Sequence, residues 1–255
     1  MEKKVVGFPF KSVRKLNKKL GLIVLQSDQT IENELRKIVP NQCDLHHSRI
    51  PSEPQVTPET LKQMTKDLPV ASSLFPTSLN LDVIAYACTS GATIIGPNKV
   101  ENIIRKVHKA VEVTDPISAT LDALKMLKAR RIGFVSPYIM SVSREIRNYF
   151  ISKGFEIPSS ISFDQESESV VASIDESDTL KAIEAAASEE VDAVFVSCTN
   201  LKSFSILDQA EKVTGKPVLS SNQALAWSML RKANVSLSES DYKNCPGKIF
   251  TKTYY

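Results

Sequence analysis

Two cysteine–threonine pairs, Cys88-Thr89 and Cys198-Thr199, stand in matching surroundings. The first lies in LDVIAYACTSGAT (Leu81–Thr93) and the second in VDAVFVSCTNLKS (Val191–Ser203). In both, an aspartate (Asp82, Asp192) opens an apolar run and the cysteine follows six residues later. Such a run reads as a buried parallel strand, and the pattern beyond it as a helix. Each thiol is then expected just ahead of a helix N-terminus, where unpaired N–H groups and the helix dipole favour negative charge. That setting lowers a thiol's pKa and makes thiolate available near neutral pH. The same N–H groups, with Thr89, Ser90, Gly91, Thr199 and Asn200, are candidates for holding a substrate carboxylate.

Two sulfurs on opposite sides of one ligand suit a reaction that takes a proton from one face of a carbon and returns one to the other. A proton next to a carboxylate is hard to remove, and donors that tighten as charge spreads onto the oxygens lower that barrier. The other use of the Cys88 thiolate is addition to a carbon–carbon double bond, followed by rotation and expulsion. A lone cysteine at a strand end is commonly a small buried hydrophobe; duplication argues for chemistry here. Cys43 and Cys245 lack such a setting and read as structural. His46 and His47 have no third ligand at metal spacing, and His108 reads as a surface residue of a basic helix. The glycines form neither a dinucleotide fingerprint nor a P-loop. No metal and no organic cofactor is therefore expected. Asp164, Glu166 and Glu168 form an acidic loop, either solvated or able to close over a substrate.

Short apolar runs alternate with helical patterns, which is the signature of a doubly wound α/β sheet. Strands are expected at Leu20–Gln26, Asp44–Ile50, Leu81–Ala87, Arg131–Ser136, Gly154–Ile161, Val191–Ser197 and Val218–Ser220. Helices are expected from Ser27 or Asp28, from Thr57-Pro58, from Thr89 to about His108, and from Asp115-Pro116 to Lys128. Further helices are expected at Ser141–Lys153, Asp178–Glu190, Leu201–Thr214 and Asn222–Lys232, with an irregular polar tail from Ser236. The Cys-Thr repeat divides the chain into residues 1–112, completed by 222–255, and residues 113–221. In an open parallel sheet ligands bind at the carboxyl ends of strands where strand order reverses. Both cysteines fall at such ends, and Asp82 and Asp192 at the opposite ends, as turn residues.

The 255 residues, 42% hydrophobic and 24% charged with a net charge of +3, are ordinary for a globular enzyme. That charge gives no reason to expect nucleic acid as a partner. The basic residues Lys3, Lys4, Lys11, Arg14, Lys15, Lys18 and Lys19 read as a solvated terminal arm. No apolar stretch is long enough for a signal peptide or a membrane span, so the expected compartment is the cytoplasm, with free thiols.

The chain resembles the aspartate/glutamate racemase superfamily and, within it, the maleate cis-trans isomerase and arylmalonate decarboxylase group, closest to its ectoine-utilisation branch. The resemblance rests on GLIVLQSDQTIENE (Gly21–Glu34), RIP (Arg49–Pro51), TPETLKQM (Thr57–Met64), DVIAYACTSGATIIG (Asp82–Gly96), SPY (Ser136–Tyr138) and VSCTNLKS (Val196–Ser203). It implies two flavodoxin-like halves related by a pseudo-twofold, an active site between them, no cofactor, and assembly into a homo-oligomer. It also implies that Cys88 and Cys198 are catalytic and that Tyr138 hydrogen-bonds a substrate carboxylate. Two cysteines point to isomerase or racemase chemistry rather than decarboxylation, for which the group uses one. Two positions depart from the maleate pattern. Asp28 stands where an asparagine binds a substrate carboxylate, and the window Gln165–Ser169 contains no asparagine at all. Both departures favour an amino-acid-like small carboxylate over maleate, since an aspartate attracts an ammonium group. Two other functions compete: a non-catalytic small-carboxylate binding protein, and a redox sensor joining Cys88 to Cys198.

Overall fold

The computed structural model describes residues 7–12, 17–188 and 190–255. Of the expected basic arm, Lys3, Lys4, Arg14 and Lys15 lie outside those residues. Lys18 and Lys19 belong to no arm, because they open the first strand. Lys18 pairs with Asp82, and the Lys19 N–H donates to the same carboxylate at 2.8 Å.

The first half runs β1 (Lys18–Leu25), α1 (Ile31–Ile38), β2 (Cys43–Ile50), α2 (Pro58–Gln63), α3 (Leu68–Ser73), β3 (Val83–Ala87), α4 (Thr89–Ile95), α5 (Pro97–Val107) and β4 (Glu112–Thr114). Helix α6 (Pro116–Met126) leads into the second half. That half runs β5 (Arg131–Tyr138), α7 (Met140–Ser152), β6 (Glu156–Gln165), α8 (Glu168–Ser173), α9 (Glu176–Ala186), β7 (Ala193–Val196), α10 (Leu207–Thr214) and β8 (Val218–Ser220). The chain ends with α11 (Ser221–Lys232) and α12 (Glu239–Tyr242). The sheets are parallel and ordered β2-β1-β3-β4 and β6-β5-β7-β8, so the two halves repeat one topology.

Asp82 and Asp192 do the same work in each half. Asp192 accepts the N–H groups of Arg130 and Arg131, both at 2.8 Å, as Asp82 accepts that of Lys19. Each thereby fixes the amino-terminal edge of the β1–β3 or β5–β7 pair, at the end of the sheet opposite the cysteines. The first strand after each aspartate is buried throughout, as strands covered on both faces must be.

Several expected elements differ. The helix after Thr89 is broken at Gly96, whose φ of +93° suits glycine, and restarts at Pro97. Strand β4 was hidden by its shortness, and it pairs with β3; the first sheet therefore extends past residue 112. Gln165–Ser169 is no open loop, because β6 runs to Gln165 and α8 starts at Glu168. The tail beyond Ser236 buries Ile249 and Phe250. His108 is half-buried and bonded to the Ser72 carbonyl at 3.0 Å. Among the described residues no helix is long and apolar enough to cross a membrane.

Candidate active site

The carboxyl ends of β1 and β3 meet those of β5 and β7 around a small enclosed cavity. Its walls are Leu25, Asp28, Cys88, Thr89, Ser90, Tyr138, Glu168, Cys198, Thr199 and Asn200. All of the sequence-derived candidates except Gly91 thus line one cavity, and Glu168 joins them. The empty space is about 230 Å³ and too narrow for water to move through. A wider surface groove, with about 1310 Å³ of empty space beside α10 and the C-terminal segment, contains none of these groups. Its openness makes it larger; the convergence of nucleophiles and carboxyls marks the smaller one.

Cys88 is the N-cap of α4, as expected. Its Sγ accepts the Gly91 N–H at 3.1 Å and lies 3.7 Å from Ser90 Oγ. Gly91 serves the sulfur rather than the cavity. A Cβ there would come within 2.6 Å of Tyr86 Oη and 2.8 Å of Cys88 Sγ, so a side chain is excluded.

The second corner is not a copy. No helix follows Cys198; the backbone bends through Thr199–Leu201, and the next full helix is α10. Cys198 sits at φ +142°, a region that non-glycine residues rarely enter. Side chains from elsewhere hold it there. Ser221 Oγ accepts the Cys198 N–H at 3.0 Å, and Cys198 Sγ accepts the Asn200 N–H at 3.2 Å. Thr89 Oγ1 donates to the same Ser221 Oγ at 2.7 Å, which ties the two corners together. The expected symmetric pair of helix N-termini is therefore corrected to one helix and one side-chain-supported loop.

The expectation of depressed thiol pKa values is also overturned. Burial pushes Cys88 up to about 12, with the Gly91 N–H and Ser90 pulling the other way. Burial, then the nearby Glu168 carboxylate, holds Cys198 well above its usual value. In a cavity this dry, desolvation outweighs a single N–H donor.

Asp28 follows β1 and precedes Thr30, which rather than Ser27 or Asp28 is the N-cap of α1; Asp28 Oδ1 accepts the N–H groups of Thr30 (2.8 Å) and Ile31 (3.0 Å). Its other oxygen, Oδ2, is buried with no partner. Burial raises the Asp28 pKa to about 6 against the pull of those two donors and of the nearby Thr199 hydroxyl, which does not come within hydrogen-bonding geometry of Oδ2. Arg49 clamps the loop from outside, donating to the carbonyls of Leu25 and Asp28 at 2.9 and 3.1 Å.

Tyr138 ends β5, and its hydroxyl lies 3.0 Å from Cys198 Sγ. It donates, however, to Glu168 Oε1 at 2.8 Å, and Asn200 Nδ2 donates to Glu168 Oε2 at 2.7 Å. Burial raises the Glu168 pKa against those two donors. The sequence named Glu168 only as one of three residues of an acidic loop, solvated or able to close over a substrate, and not as a site residue; its other signal was its place in the window where the maleate pattern has an asparagine. Asp164 and Glu166, its neighbours in the supposed acidic loop, are exposed and take no part.

All four cysteines are free thiols. Among the described residues no cluster of three or more His, Cys, Asp and Glu side chains is arranged to hold a metal ion.

This arrangement has known counterparts. The arylmalonate decarboxylase family profile matches residues 64–245 of the chain. The chain belongs to the arylmalonate decarboxylase family. Within reach of that family, a maleate isomerase of Alcaligenes faecalis is 25% identical over 231 residues, covering 84% of this chain and 90% of the relative. A maleate isomerase structure from Pseudomonas putida S16 superposes with a TM-score of 0.82 at 22% identity, over 91% of this chain and 97% of that one. A Nocardia farcinica maleate cis-trans isomerase, a cysteine-to-serine mutant with a covalently bound succinylcysteine intermediate, superposes at 0.77 with 26% identity. It covers 86% of this chain and 93% of its own. These relatives agree with the expectation of a cysteine-dependent isomerase built from two similar halves.

Proposed function

We propose that this enzyme is a cofactor-independent racemase or epimerase of a small amino-acid-like carboxylate, with Cys88 and Cys198 as its acid–base pair. One observation carries the reading. Both thiols share a closed cavity with a buried carboxylate oxygen on Asp28 that has no hydrogen-bond partner, and among the described residues no Lys, Arg or His lines it. An ammonium group on the substrate supplies the missing partner for Asp28 Oδ2. The substrate carboxylate meets the hydroxyls of Ser90 and Thr199 and the backbone of the two corners. One sulfur, deprotonated once the substrate's ammonium charge offsets the burial that holds both thiols high, takes the proton from Cα, and the other returns one to the opposite face from its S–H. The first sulfur ends protonated and the second deprotonated, so the reverse reaction starts from the product state. Closure keeps water from quenching the carbanion.

A second reading is supported by the succinylcysteine in the Nocardia farcinica neighbour. There the Cys88 thiolate adds to the double bond of maleate, the new single bond rotates, and expulsion of the thiolate leaves the trans acid.

Incubation in heavy water with amino acids, N-acetylated diamino acids and maleate separates the two. Deuterium at Cα, lost in both Cys88→Ala and Cys198→Ala but kept in Cys43→Ala, is the expected result. Conversion of maleate to fumarate with no exchange in any amino acid would replace the first reading by the second. Tight carboxylate binding with neither reaction would leave a binding protein.

A further inference from the structure

Tyr138 and Asn200 are the donors placed to grip a carboxylate beside Cys198, and both already grip one. The Tyr138 hydroxyl reaches Glu168 Oε1 at 2.8 Å and the Asn200 amide reaches Glu168 Oε2 at 2.7 Å. The Asn200 amide cannot be turned to offer its oxygen instead, because its Oδ1 accepts the Gln29 N–H at 2.8 Å. All three side chains are buried. The Glu168 backbone is clamped as well: its N–H donates to the Pro54 carbonyl at 3.2 Å, the Val56 N–H donates to the Glu166 carbonyl at 3.0 Å, and Gln55 and Ser167 form an antiparallel bridge. The carboxylate is thus delivered by backbone pairing between the two halves.

We propose that Glu168 is a specificity-determining residue, a resident carboxylate that fills one acid-binding cradle and restricts the enzyme to substrates with a single carboxylate. A dicarboxylate brings a second acid group to a place where the donors are spent. It also meets the negative charges of Glu168 and Asp28, with no cation among the described residues lining the cavity to offset them, and such repulsion is strong in a desolvated site. The inference deepens the amino-acid-like reading and rests on it for what occupies the other end of the cavity.

The test compares maleate binding by calorimetry in wild type, Glu168→Ala and Glu168→Gln. Emptying the cradle in Glu168→Ala is expected to tighten maleate binding about tenfold or more, the change that regaining charge-assisted hydrogen bonds brings. Formate and acetate are expected to fill the vacated cradle and raise the melting temperature of Glu168→Ala in a concentration-dependent way. Wild type and Glu168→Gln, whose cradles remain filled, show no such response. Should the alanine variant fail to fold, the isosteric Glu168→Gln still removes the repelling charge and must bind maleate more tightly than wild type. Wild type binding or isomerising maleate as well as either variant overturns the proposal; so does a formate response shared by wild type. Tightened maleate binding in a variant, with no Cα exchange in any amino acid, leaves the Glu168 assignment standing and removes the amino-acid reading.

Discussion

A buried carboxyl group with one oxygen unpaired is held at a cost, and Asp28 is such a group. Its pKa rises from 3.8 to about 6 on burial, which corresponds to roughly 3 kcal/mol at most. Between about pH 4 and 6 the folded chain keeps this proton while the unfolded chain releases it. Stability therefore falls across that window and stays reduced above it. Asp28→Asn keeps an oxygen for the Thr30 and Ile31 N–H groups and carries no charge. Its stability relative to wild type is expected to improve by up to about 3 kcal/mol between pH 4 and pH 8, on top of a pH-independent cost for its buried NH2, while Cα exchange is lost for want of an ammonium partner. Urea titrations at both pH values, paired with the exchange assay, check this; the same difference from wild type at both contradicts it. At this scale the sequence is informative where chemistry sits in repeated or motif-bearing segments, as for Cys88, Cys198, Tyr138, Asn200 and Asp28. It does not separate Glu168 from Asp164 and Glu166, because all three lie in one acidic stretch that reads equally well as solvated. What makes Glu168 functional is contact with Tyr138 and Asn200, 30 and 32 residues away. The thiol pKa values were misread for a related reason: a helix terminus shows in the sequence, and desolvation does not.

Matching Cys-Thr segments end in different elements because their support comes from different places. After Cys88 the α4 backbone satisfies itself. After Cys198 the loop relies on α1 and α11. Glu34 Oε1 accepts the N–H groups of Ser203 and Phe204 at 3.3 and 3.2 Å, and Asn222 Nδ2 donates to Glu34 Oε2 at 2.6 Å and to the Thr199 carbonyl at 2.8 Å. Thr30 Oγ1 adds a bond to the Asn200 carbonyl at 2.9 Å. These partners lie some 170 residues or more from Glu34 in the chain, so no local pattern announces them, and the segment after Leu201 reads as helix by default. The break at Gly96-Pro97, by contrast, is written in the dipeptide itself. Burial raises the Glu34 pKa to about 7 despite its donors, which leaves it partly ionised at neutral pH. Glu34→Ala strands two backbone N–H groups and one of the two N–H bonds of the Asn222 amide in a buried site, a loss of about 2–4 kcal/mol. Because the loop carries Cys198, turnover is expected to fall at temperatures where the variant is still folded. Full turnover with only a lowered denaturation midpoint would mean that the loop holds its shape without Glu34.

Helix α11 decides how the two halves behave together. Ten consecutive residues, Ser221–Leu230, are buried, which is the pattern of a helix surrounded by protein on every side. It follows β8 of the second sheet yet packs on β3 and β4 of the first, and against α1 and α6. Its first two residues reach both corners of the site, Ser221 through Thr89 and Cys198, Asn222 through Glu34 and Thr199. The buried apolar side chains of both halves accordingly form one continuous cluster. Without α11, β3 and β4 would face water on the side it covers, and apolar strand faces are not stable exposed. The halves are therefore expected to unfold in one cooperative transition, with the calorimetric and van't Hoff enthalpies equal. A chain ending at Ser220 is expected to lack that transition and to bind an apolar dye, because removing α11 opens the core it fills. Two resolved transitions in the full-length protein, or a cooperative melt of the shortened chain, would show that each half carries a core of its own and that α11 merely rests on it.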